Sequence, residues 1–143
     1  MKTNEIYNTM DIIDTRDIVS RLEELQEWLD TYQKDVEAAE TPEEKEQAQE
    51  ALDDFCADYE EELKQLKALH NEWKDQIPDW EHGEALIHED FFTEYCEEMC
   101  KDIGYVSSDV PWFIVIDWEK TAEHIKIDYT EIDFDGQTYY IRA

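Results

Sequence analysis

Apolar residues at Ile18, Leu22, Leu25, Leu29, Tyr32, Val36 and Ala39 advance along the chain in alternating steps of four and three. That rhythm keeps one stripe of a helix facing a neighbour and closes off most other folds for this stretch. A second stripe runs through Ala48, Leu52, Phe55, Tyr59, Leu63, Leu66, His70, Trp73 and Ile77. Between them lies Glu40-Thr41-Pro42-Glu43-Glu44. Thr41 suits a helix N-cap, Pro42 the first helical position, and Glu44 completes a capping box. So short a connection predicts an antiparallel helical hairpin. Asp14 or Thr15 can cap its first helix, and the second helix runs from Pro42 towards Gln76 before Pro78 ends it.

The stretch Pro78 to Gly83 reads as a joint, which divides the chain into residues 1–77 and 78–143. A third helix is expected from about His88 to Ile103, with Gly104 as its stop. Val110 to Ile116 is the most hydrophobic run, and Asp117 caps a short helix from Trp118 to Ile125. Asp135-Gly136 is the dipeptide of a type I′ turn. Pairing across it sets Phe134 opposite Gln137, Ile132 opposite Tyr139 and Thr130 opposite Ile141. Ile132, Phe134, Tyr139 and Ile141 then share one face. The expected fold is therefore α+β and mostly helical: a long antiparallel hairpin, then a small unit of two helices and a C-terminal β-hairpin.

Charge bounds function. Forty acidic residues face twelve Lys and Arg, a net −28 on 143 residues. The first 77 residues carry −15 and the rest −13, so the acidity is no appended tail. At 41% hydrophobic, the chain has enough apolar matter to fold. Nucleic acid and anionic membrane would repel it, which leaves a basic protein as the expected partner. No run reaches the roughly 18 apolar residues of a membrane span. An N-terminus without an apolar core and an odd count of three Cys favour the cytoplasm.

Carboxylates three or four residues apart on a helix stand roughly 5–6 Å from one another, a spacing of the order of phosphate intervals. Glu23, Glu24, Glu27 and Asp30 make one such array. Asp53, Asp54, Asp58, Glu60, Glu61 and Glu62 make a second, and Glu94, Glu97 and Glu98 a third. A helix studded this way can occupy a cleft built for DNA; the plainer reading is a solvated helix face. Cys96 and Cys100 lie one helical turn apart with His88 two turns earlier, but the spacing matches no metal knuckle, and buried free thiols are the simpler account. His70, on the second seam, reads as a satisfied interface histidine. No phosphate loop, nucleophile elbow or catalytic metal helix is present, so neither an enzyme nor a cofactor is expected.

The segment from about Leu86 to Arg142 resembles the C-terminal region of ArdA-type antirestriction proteins. The matching pieces are EDFFTEYCEEMCKDIGY, then Asp109-Val110-Pro111, then IDWEKTAEHI from Ile116, and IDFDGQTYYIR from Ile132. The resemblance covers about two-fifths of the chain, and the family's earlier domains are replaced here by the helical hairpin. It implies an acidic DNA mimic, encoded by a phage or mobile element, that evades host defence by binding a type I restriction-modification enzyme, often as a dimer. Trp112, Phe113 and Val115 are the expected dimer interface. A CRISPR effector or nucleoid protein is another possible target. The alternative is a helical adaptor that assembles through coiled-coil surfaces, with the charge serving solubility.

Overall fold

The computed structural model describes residues 2–107 and 109–142. The fold is α+β and mostly helical. The chain divides into two compact units. The first comprises its N-terminal residues through Tyr7 together with Thr15–His82; the second comprises Asn8–Asp14 and the chain from Gly83 onward.

In the first unit, α1 (Thr15–Ala38) and α2 (Pro42–Trp73) form the expected antiparallel hairpin. Ile18 and Leu25 from one seam and Phe55, Leu63 and Leu66 from the other are buried. Phe55 anchors an aromatic cluster, 6.3 Å from Trp28, 5.3 Å from Tyr32 and 5.3 Å from Tyr59, centroid to centroid. Thr41 has extended backbone and its Oγ1 accepts the Glu44 N–H at 3.2 Å. The Glu44 carboxylate reaches back one residue further than a standard capping box, accepting from the Glu40 N–H at 3.1 Å. Thr41→Ala should therefore lower stability by about 1 kcal/mol in urea unfolding. A change under about 0.3 kcal/mol would show that the cap contributes nothing.

The sequence reading gave the first residues no structure. Residues 2–6 in fact lie along the hairpin, held by side chains of both helices. Glu24 accepts the Lys2 and Thr3 N–H groups, and Glu62 accepts the Ile6 N–H at 3.2 Å.

The second unit is a four-stranded antiparallel sheet carrying two helices. Its strands are β1 (Ile12–Asp14), β2 (Ala85–His88), β3 (Tyr129–Phe134) and β4 (Gln137–Arg142), in the order β1-β2-β4-β3. The β3–β4 register matches the expected pairs, including Ile132 with Tyr139 and Phe134 with Gln137. Asp135 and Gly136 both have positive φ, at 49° and 81°, as a type I′ turn requires. Against this sheet pack α3 (Phe92–Asp102) and α4 (Trp118–Ile125), which share a core of Ile87, Phe92, Cys96 and Ala122. Asp117 Oδ1 caps α4, accepting the Lys120 N–H at 3.0 Å.

Two expectations are corrected here. The third helix begins at Phe92, and His88 ends a strand instead. The apolar spacing from Phe91 to Ile103 is helical, but Ala85–His88 is paired on both sides, by β1 and β4. Residues 8–14, assigned from sequence to the hairpin unit, belong to the second unit, because Ile12–Asp14 pairs with β2, and the chain passes to the second unit at Gly83. Pairing between segments some seventy positions apart leaves no local signal.

A candidate acidic interaction surface

On α2, the residues Glu43, Glu44, Glu46, Glu50, Asp53, Asp54, Asp58, Glu60 and Glu61 are all exposed. At 100° and 1.5 Å per residue, the seam residues take one side of the helix and these carboxylates the other. From Glu43 to Glu61 the axial length is about 27 Å. Nine carboxylates over that length give roughly one per 3 Å, close to the 3.4 Å per charge of one DNA strand. Lys45 interrupts the run, and Lys64 and Lys67 close it.

The α1 array is different. Glu23, Glu27 and Asp30 are exposed at i, i+4 and i+7. They line an open groove of about 670 Å³ that also holds Lys34, Lys67 and His70. Those lysines offset part of its field.

Two of the sequence-selected acids are not available to a partner. Glu62 forms a buried bidentate pair with Arg21: Nε donates to one carboxylate oxygen at 2.7 Å and Nη2 to the other at 2.8 Å. Their side chains are 7% and 1% exposed. Arg21 Nη1 also donates to the Thr3 carbonyl at 3.2 Å, and the carboxylate raises the Arg21 pKa. Glu24 is half-buried and accepts the Thr3 hydroxyl as well as two backbone N–H groups. These bonds favour its charged form and lower its pKa. Spacing along a helix did not reveal either role. Arg21 was the available signal, a cation beside Leu22 on the seam.

In the second unit Glu94 and Glu98 are exposed, whereas Glu97 is partly covered and lies 3.6 Å from Lys101. The apolar run carries more exposed surface than a core strand could. Trp112 is 92% exposed, Val115 89% and Phe113 68%. The Ile114 N–H donates to the Pro111 carbonyl at 2.9 Å, which turns Trp112 and Phe113 out at the tip. Their rings meet edge to face at 5.9 Å.

Burial raises the Cys96 thiol to about 11, and Cys100 is buried beside it. Both therefore sit as packed thiols. Among the described residues no group of three or more His, Cys, Asp or Glu side chains is placed to hold a metal ion. His70 is satisfied, accepting the Trp80 indole N–H at 2.8 Å on Nδ1. His88 Nδ1 accepts the Asp90 N–H at 3.1 Å, and its Nε2 lies 3.0 Å from Gln137 Oε1. Among the described residues no helix is long and apolar enough to cross a membrane. No protein-family model, curated protein or solved structure matches this chain.

Proposed function

We propose that this protein is a non-enzymatic inhibitor that mimics DNA. In this reading it occupies the DNA-binding cleft of a host defence nuclease, with a type I restriction-modification enzyme as the first candidate. The observation that carries the reading is the exposed stripe on α2, whose linear charge density approaches that of a DNA strand. Its carboxylates would replace phosphates against Lys and Arg in the cleft. Steering by a net −28 would speed association, and salt would weaken the complex. The test is competition. The enzyme is loaded with duplex bearing its recognition sequence, and the protein is titrated in at low and at moderate salt. Displacement of the duplex, weakening steeply as salt rises, is the expected result. Joint occupancy of the enzyme by duplex and protein, or an affinity indifferent to salt, sinks mimicry.

The adaptor reading is weaker, because Ile18, Leu25, Phe55, Leu63 and Leu66 are already buried within the hairpin. A specific observation does favour self-association. Trp112, Phe113 and Val115 are exposed in a run, Val110–Ile116, that carries no charge. Two copies of so acidic a molecule repel least where the surface is uncharged. Dimerisation through this tip should therefore strengthen with salt, the opposite of binding through the stripe. Light scattering should give a dimer mass at micromolar concentration in moderate salt. A monomer mass throughout, or the same mass for Trp112→Ala, removes this interface.

A further inference from the structure

Backbone bonds from Lys74 to the His70 carbonyl and from Ile77 to the Trp73 carbonyl, with Ile77 buried, hold residues 74–77 to α2, and Trp80 fastens residues 78–82 to the helical hairpin. Its side chain is fully buried, its ring lies 6.1 Å from the His70 ring, and its Nε1–H donates to His70 Nδ1 at 2.8 Å. An indole N–H can only donate. His70 Nδ1 must therefore present a lone pair, which makes the ring neutral with its proton on Nε2. A second proton has one place to go, the same Nδ1, where it would meet the indole hydrogen head-on. The charged ring and this hydrogen bond exclude each other.

We propose that His70 and Trp80 form a pH-sensitive latch, in which protonation of His70 releases Trp80 and frees residues 78–82 from α2. The charged groups around His70 come from each stretch packed on it. Glu23 reaches from α1, Glu81 lies in the latched segment, and Lys74 and Asp75 follow four and five residues after His70. Lys34 and Lys67 share its groove. The carboxylates favour the charged ring. Burial and Lys74 oppose it, burial most strongly, and hold His70 below the usual imidazole range. The sign follows from linkage. The latch contributes fully above the ordinary imidazole value of about 6.5 and is lost as pH falls through the lower His70 midpoint.

Full-length protein labelled with ¹⁵N, titrated from pH 8 to pH 5, provides the test. The Trp80 indole signal is assigned by its loss in Trp80→Phe, and His70 is followed through its ring carbons. Protection of the Trp80 indole, relative to free tryptophan, should fall at least tenfold with the same midpoint as His70, while helical content stays constant. His70→Gln, whose carbonyl accepts at every pH, should abolish the step. Trp80→Phe removes the donor that favours the neutral ring, and should raise the His70 midpoint by about half to one pH unit. An indole that stays protected through the His70 titration overturns the latch. So does a step that persists in His70→Gln, or that coincides with global unfolding, or a His70 midpoint unmoved in Trp80→Phe.

Discussion

Arg21→Met should destabilise the hairpin unit by about 3–5 kcal/mol. The substitution leaves the Glu62 carboxylate, 7% exposed, without its counter-charge between two helices. It also removes the Nη1 bond to the Thr3 carbonyl, one of the contacts that hold residues 2–6 in place. Arg21→Lys should recover only part of the loss. A lysine amine cannot present two parallel N–H donors to one carboxylate, as the guanidinium does at 2.7 and 2.8 Å. The double variant Arg21→Met, Glu62→Leu should be much closer to wild type than either single change, because burying two apolar side chains strands no charge. Urea unfolding of the four proteins measures this directly. An Arg21→Met loss below about 1 kcal/mol would mean that water reaches Glu62 and that the pair matters little.

Reversing Asp53, Asp54, Asp58 and Glu61 to Lys should abolish displacement of duplex from the nuclease while leaving helical content unchanged. These four residues are exposed on one side of α2 and hold no part of the hairpin core. Glu61→Gln alone should reduce affinity less than about fivefold, since an exposed charge pair contributes only about 0–1 kcal/mol. Affinity in this mechanism is a sum over many such contacts. Glu62 belongs outside the reversed set despite its place in the same run of sequence, because Glu62→Lys would oppose Arg21 in a buried site and unfold the unit. A reversed stripe that still displaces duplex would move the interaction surface elsewhere. The groove acids Glu23, Glu27 and Asp30 would then be the next set to reverse.

Local spacing accounts for most of what could be read in advance. The four-and-three rhythm placed the buried faces of both helices, and Thr41 with Pro42 marked where the second begins. Turn chemistry and strict alternation set the β3–β4 register to the residue. The linear density of acids on α2 also follows from sequence and helical rise, nine acids in nineteen positions from Glu43 to Glu61, although their exposure does not. Spacing did not separate Asp53 and Glu61, which face solvent, from Glu62, which faces Arg21 and the Ile6 N–H. All three fit an array of acids, and only the partner side chain distinguishes them.

What the sequence determined by itself is therefore everything that depends on neighbours within about one turn or one hairpin: helix faces, caps, the terminal turn and the acidic stripe. The tertiary structure decided the rest. It paired Ile12–Asp14 with Ala85–His88 across the whole hairpin, turned Glu24 and Glu62 into anchors for residues 2–6, seated Trp80 on His70, and left Trp112 and Phe113 at an exposed tip. Each of these outcomes depends on which distant groups meet, and a buried hydrogen-bond donor, acceptor or charge takes its role from the partner that satisfies it.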